Sequence, residues 1–278
     1  MHNRQFKEKK AILIASFGTS MKSAQKAIDN LTDRVREDFP DFDLFIAYTS
    51  NIIRRKIARE RNEIIPTPLQ ALADLQEHGY TDVYVVPMHI LPGMEYDDLK
   101  SAVCAFAHIR GKYSFHNLRI GKPFLCDIPA CDTMADILVK RFSKEISEKK
   151  TIVLMGHGTP NHISHALYTQ LQLALGKKAH GRFVLGTVEA VPAIDDVVSM
   201  LRHRNVEEIV LSPFMIVAGD HAINDMSDPE SEDSWYSVLQ GAGYNKISLR
   251  LEGLGEDDGI AELFSQRVRE LITEEASH

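Results

Sequence analysis

Cysteine, tryptophan and long apolar runs are what this chain has least of. Three cysteines (Cys104, Cys126, Cys131) make no CxxC pair and no zinc spacing. That excludes a disulfide framework and a cysteine-ligated zinc site, and it fits a reduced, cytoplasmic protein. No apolar stretch in the 278 residues approaches the length needed to span a bilayer. The opening segment "MHNRQFKEKK" has no apolar stretch of the signal-peptide kind, so no signal peptide is expected. A basic excess is missing too. Lys and Arg number 32 against 39 Asp and Glu, for a net charge of −7, which argues against nucleic acid as a partner. No lysine follows the turn "SFGTS" (16–20) at Walker spacing, so no nucleotide cofactor is expected. No Gly/Ser-rich linker divides the chain, so any domains should pack closely.

What is present is an alternation of short apolar runs with longer amphipathic stretches. Strands are expected at 11–17, 44–49, 83–88, 118–120, 151–155, 183–188, 209–212 and 247–251. Most are continuous runs of Val, Ile and Leu, the pattern of parallel strands covered on both faces. The stretch "TPLQALADLQEHG" reads as a helix with Thr67 as N-cap, Pro68 in the first turn and Gly79 just past its end. Strand–helix alternation of this kind implies doubly wound parallel sheets.

The second half repeats the first. "ILIASFGTS" (12–20) echoes "IVLMGHGTP" (152–160), "LFIAYTSN" (44–51) echoes "FVLGTVEA" (183–190), and "VYVVPMHILPGME" (83–95) echoes "IVLSPFMIVAGDH" (209–221). The expected fold is therefore two similar doubly wound α/β domains, 1–127 and 128–278, facing a central cleft. The last helix is a candidate to pack back on the first domain. Ligands bind such sheets at the carboxyl ends of the strands.

The echoes also align the strand ends. Phe17 matches His157, Asn51 matches Glu189 to within one residue, and Glu95 matches His221. The second half thus offers His, Glu and His where the first offers Phe, Asn and Glu. Two imidazoles and a carboxylate make an open site for a divalent first-row metal, and the same groups accept protons near neutral pH. Each has a plainer reading: His157 and His221 as loop histidines, Glu189 as a partnered carboxylate at a strand end. Glycines beside His157 would let backbone approach a ligand closely, and Asp220 could orient His221. The segment Ser16, Phe17, Gly18, Thr19, Ser20 is either an anion-binding turn or a plain βα turn with Thr19 or Ser20 as helix cap. In "RRKIARERNE" (54–63), a solvated helix face is the plain reading, with Arg54 the candidate to hold substrate carboxylates. His162 and His165 read as helix-surface or cleft-lining groups.

With these residues on the page, the chain resembles the anaerobic, CbiK-type sirohydrochlorin cobaltochelatases, class II chelatases that insert Co²⁺ into sirohydrochlorin on the route to cobalamin. The resemblance rests on "SFGTS", "DLFIAYTSNIIRRK" (43–56), "TPLQAL" (67–72), "MGHG" (155–158), "GTVEAVP" (186–192), "VAGDHAINDM" (217–226), "DSW" (233–235) and "GLGE" (253–256). It implies a chelatase-like fold of two domains, with metal ligands at His157, Glu189 and His221. It makes Glu95 a cleft-lining acidic group, with catalysis by His157, Glu189 and Glu95. Substrate contacts are expected from residues 16–20, Arg54 and Gly158. The departure is "GHGTPNHISHALY", longer by about one residue, which leaves the role of His162 open. The implied substrates are sirohydrochlorin and Co²⁺, with Fe²⁺, and hence sirohaem or haem synthesis, the nearest alternative. A non-catalytic tetrapyrrole or metal carrier is the other. The oligomeric state, including a homo-oligomer, stays open.

Overall fold

The computed structural model describes residues 8–274 other than 205 and 221. Its elements run β1 (Lys10–Ser16), α1 (Gln25–Asp38), β2 (Asp43–Tyr48), α2 (Asn51–Arg61), α3 (Pro68–Glu77), β3 (Asp82–Pro87), α4 (Met94–Ala107), β4 (Asn117–Ile120), α5 (Ile128–Arg141), α6 (Ser143–Ser147), β5 (Thr151–Gly156), α7 (Ala166–Lys178), β6 (Phe183–Thr187), α8 (Ile194–Arg202), β7 (Ile209–Phe214), α9 (Trp235–Gly241), β8 (Ile247–Leu249) and α10 (Asp258–Thr273). All eight expected strands form. They make two four-stranded parallel sheets of identical order, β2-β1-β3-β4 and β6-β5-β7-β8.

The continuous apolar strands are explained by burial on both faces. In β1, Ile12 and Ile14 face one core while Ala11, Leu13 and Ala15 face another. In β5, Ile152 and Leu154 join the first of these cores, and Val153 and Met155 enter a third. The core shared by both sheets also takes side chains from α1, α5, α7 and α10. Within it the halves trade helices. α5 follows the first sheet but packs on α7, and α10 follows the second sheet but packs on α1. Phe124 and Phe264 stack across this exchange with ring centroids 5.7 Å apart. Ser265 donates its hydroxyl to Asp38, and Arg34 pairs with Glu262.

Backbone hydrogen bonds show how far the repeat extends. The N–H groups of Thr49 and Ser50 donate to the carbonyls of Ser16 and Phe17, as those of Val188 and Glu189 donate to Gly156 and His157. Those of Phe124 and Leu125 donate to His89 and Ile90, as those of Leu254 and Gly255 donate to Met215 and Ile216. The structural counterpart of Glu189 is therefore Ser50, one residue before the expected Asn51.

His89 departs from its counterpart Met215 in chemistry. Both of its ring nitrogens are buried with no hydrogen-bond partner among the described residues. Burial pushes its pKa down from 6.5 to about 4. The unfolded chain takes up a proton that the folded chain resists, so stability falls as pH drops from about 6.5 to about 4. The ceiling is about 3 kcal/mol, and the part of the residue that solvent reaches lowers it. His89→Met, which copies the other half, should flatten this part of the stability-versus-pH curve in urea titrations. An unchanged acid slope would assign the loss to other groups.

Candidate active site

The strand ends of the two halves meet face to face. A Cβ placed on Gly93, just before α4, would lie 3.0 Å from Thr159 Oγ1. One on Gly219 would lie 3.9 Å from Thr19 Oγ1. Thr19 and Thr159 are counterparts, as are Gly93 and Gly219, so each half's third-strand loop lies over the other's first-strand loop. His162 strengthens this closure. Its Nδ1 accepts from the Ser164 N–H at 3.2 Å, which leaves the proton on Nε2 to donate to Asp97 on α4 at 3.1 Å. His162 is thus a tie between the halves.

At this edge the structure brings His157 and Glu189 together. Nδ1 of His157 lies 3.5 Å from a Glu189 carboxylate oxygen, and both side chains are about half exposed. The pairing is built by main chain: the Glu189 N–H donates to the His157 carbonyl at 2.9 Å. The turn behind Glu189 is held by Thr187, whose N–H donates to Pro192 O and whose hydroxyl donates to Ala190 O, each at 2.7 Å. His165 Nε2 lies 2.5 Å from Val191 O, so this histidine supports the same turn. His221, the third expected ligand, lies outside the described residues. Glu95 is exposed in the first turn of α4, two residues past the Gly93–Thr159 contact.

The glycines flanking His157 are required by close packing within the protein. A Cβ on Gly156 would lie 3.0 Å from the buried Tyr168 hydroxyl. Gly158 has φ +94, and its Cβ would fall 3.1 Å from Thr187 and 3.2 Å from Ala190. Tyr168 and Thr187 are positioning residues that sequence reasoning missed, because neither lies beside His157 in the chain.

The turn 16–20 departs from its expected reading as a helix cap. α1 begins only at Gln25, so neither Thr19 nor Ser20 caps it. Two of the turn's donors are satisfied internally, Gly18 N–H by Ser16 Oγ and Met21 N–H by Thr19 Oγ1, each at 3.1 Å. A helix N-terminus therefore does not stand directly at this turn. Ser16, Thr19 and Ser20 are buried, and Phe17 is 47% exposed. Arg54, expected to hold substrate carboxylates, is engaged three ways inside its own half. It donates to Ile65 O (2.7 Å), Asn51 (3.0 Å) and Gln70 (2.8 Å), clamping α2 to the start of α3.

Residues 10–273 match the family model for cobalt chelatase (CbiK). The chain belongs to this family. It is 33% identical over 265 residues to the sirohydrochlorin cobaltochelatase of Salmonella typhimurium, covering 95% of this chain and 97% of that one. It is 31% identical over 256 residues to the sirohydrochlorin cobaltochelatase CbiKC of Nitratidesulfovibrio vulgaris, covering 92% and 88%. The fold is shared with SirB from Bacillus subtilis, solved with Fe³⁺, at a TM-score of 0.61 and 16% identity over 95% of this chain and 96% of that one.

Membership in the CbiK family lets its motifs be sorted by what they do in this fold. In "TPLQAL", Thr67 and Gln70 close a capping box on α3. In "GTVEAVP", Gly186 makes room for Val197 and the buried Trp235 of "DSW". In "GLGE", Gly255 lies against α1, where a Cβ would come 2.7 Å from the Ala27 carbonyl, and Asn30 donates to the Gly255 carbonyl. These motifs hold the halves and the core. "MGHG" and the Glu189 turn hold the pair at the cleft. No described helix is long and apolar enough to cross a membrane.

Proposed function

We propose that this chain inserts a divalent metal into sirohydrochlorin, with Co²⁺ as its natural metal, giving cobalt-sirohydrochlorin for cobalamin synthesis without a nucleotide. Family membership and the names of the relatives support the substrate pair. The observation that carries the mechanism is the His157–Glu189 pair, 3.5 Å apart and open to solvent at adjoining strand ends.

Insertion exchanges the two inner N–H protons of the macrocycle for the metal ion, releasing both protons. In this reading His157 and Glu189 carry the incoming ion, together with His221 as the family resemblance implies. Nitrogen and oxygen donors suit a first-row divalent ion and leave positions open for water and then for ring nitrogens. As the ion passes to the ring, His157 is freed to accept a pyrrole proton. Glu189 relays that proton outward, and Glu95, on the other half, is the second acceptor. The octa-anionic substrate meets a protein of net charge −7, so local cations matter. Arg55 is exposed on α2 and is a local cation there, whereas the charge of Arg59 is offset by Glu60 at 3.4 Å.

The test is anaerobic: initial rates with sirohydrochlorin and Co²⁺ or Fe²⁺, each against the reaction without protein. Faster insertion with Co²⁺ is expected. A clear preference for Fe²⁺ would make the chain a sirohydrochlorin ferrochelatase, and retention of ligand without turnover would make it a carrier. Glu95→Gln should alter the rate or its pH dependence and leave Co²⁺ affinity in the absence of the macrocycle unchanged. Loss of Co²⁺ affinity in that variant would mean that both halves share the metal.

A further inference from the structure

We propose that the His162–Asp97 hydrogen bond is a latch that sets the distance between the two walls of the cleft, which makes both side chains positioning residues for metal insertion; this rests on the sirohydrochlorin reading above. The bond joins the two segments whose spacing matters to the reaction. His162 stands five residues past His157 on the same loop, and Asp97 shares the first turn of α4 with Glu95. Nε2 of His162 lies 3.1 Å from the Asp97 carboxylate. The ring is held for this contact by its own loop: the Ser164 hydroxyl lies 2.7 Å from Nδ1, and Ser164 is buried. Among the described residues, the other polar bonds between the halves run to residues 255–274, on α10 and at its two ends, such as Asn30 with Gly255 and Asp38 with Ser265. So α10 is the fixed joint between the halves. At the strand-end loops that form the edge of the cleft, the link is His162 to Asp97.

The repeat shows that the fold does not require this bond. His162 stands three residues past Thr159, and Asp97 stands four past Gly93. The same steps from Thr19 and Gly219 reach Lys22 and Ile223, an ammonium and an aliphatic chain that form no such bond. Both are exposed. The untied copy still closes, but less tightly, at 3.9 Å for Gly219 against Thr19 compared with 3.0 Å for Gly93 against Thr159. The bond therefore serves the side of the cleft that carries His157 and Glu189. Its strength suits a latch. The two side chains are 21% and 58% exposed, and a bond in that setting shifts an open–closed equilibrium by about fivefold at most. That favours the closed cleft, in which His157 and Glu95 meet the inner N–H groups from opposite walls. It is also weak enough to let a rigid macrocycle enter and leave.

The experiment loads the full-length protein with Co²⁺, mixes it in excess with sirohydrochlorin under anaerobic conditions, and follows single-turnover insertion by absorbance. Dissociation of metal-free sirohydrochlorin is timed separately. His162→Ala and Asp97→Ala should each slow insertion about three- to fivefold and speed macrocycle dissociation by a similar factor. Co²⁺ affinity in the absence of the macrocycle should stay the same, and the melting midpoint should stay within about 2 °C. The double variant should lose no more than either single one, because both changes remove the same bond. Asp97→Asn, whose amide oxygen accepts from the same Nε2–H, should insert at no less than about half the wild-type rate. If His162→Ala melts early because Ser164 loses its partner, Asp97→Ala and Asp97→Asn carry the test, since Asp97 is exposed. Insertion by Asp97→Ala within about twofold of wild type, unchanged macrocycle dissociation, additive losses in the double variant, or a loss in Asp97→Asn equal to that in Asp97→Ala would each overturn the latch while leaving the chelatase reading intact. Failure of the wild-type protein to insert metal would overturn that reading and the latch with it.

Discussion

Replacing His157 with alanine should lower the rate of metal insertion by at least about 10³-fold, the scale expected when a metal ligand and a proton acceptor are lost in one change. The protein should stay folded. The His157 side chain is about half exposed, and the turn that carries it is held by main-chain bonds from Val188 and Glu189 that the substitution leaves in place. Circular dichroism and the melting midpoint should therefore match the wild type within about 2 °C, as expected for a change outside the core. Calorimetry should show weakened Co²⁺ binding in the same variant. Near-wild-type turnover in a folded H157A protein would remove this residue from the mechanism.

Phe264→Ala should have the largest effect on stability, about 3–5 kcal/mol. The ring is almost fully buried and stacks on Phe124 at 5.7 Å. Its loss leaves a cavity where α10 crosses onto the first half, between elements with few local means of closing it. A fall of about 10 °C in melting midpoint is the corresponding shift for a chain of this size. Phe264→Leu, which keeps most of the volume, should cost less than half as much. A loss below about 1 kcal/mol in the alanine variant, well under the usual range for a buried aromatic, would mean that the helix exchange contributes little to holding the halves together. Because the cleft is formed by both halves, activity should be lost at a lower urea concentration in this variant than in the wild type.

Much of this architecture was legible without coordinates. Continuous Val/Ile/Leu runs mark strands buried on both faces, and all eight appear where the runs lie. The pairing of His157 with Glu189 was legible because an internal repeat aligns strand ends, and strand ends of a parallel sheet lie side by side. The repeat left the counterpart of Glu189 open to within one residue of Asn51, and the ladder bonds fix it as Ser50. A period-two strand followed by a helix start leaves that register undetermined until the ladder bonds are seen.

Other features lay beyond the sequence because they join residues far apart in the chain. That Tyr168 and Thr187 lie against the glycines beside His157 has no signal in the sequence around them. Arg54 suggested substrate carboxylates; its bonds to Ile65, Asn51 and Gln70 within its own half could not be read from the sequence. The doubt over His162 is resolved by Asp97, 65 positions earlier in the chain. The return of the last helix to the first half was a candidate from the sequence, whereas the packing of α5 on α7 had no local signature, since an amphipathic helix does not record which half supplies the surface it covers. Sequence alone determined the strands, the repeat and which residue types stand at the strand ends, because those depend on local pattern and copying. Only tertiary structure decided which of those residues face one another, because that depends on how two copies close on each other and on which close approaches glycine permits.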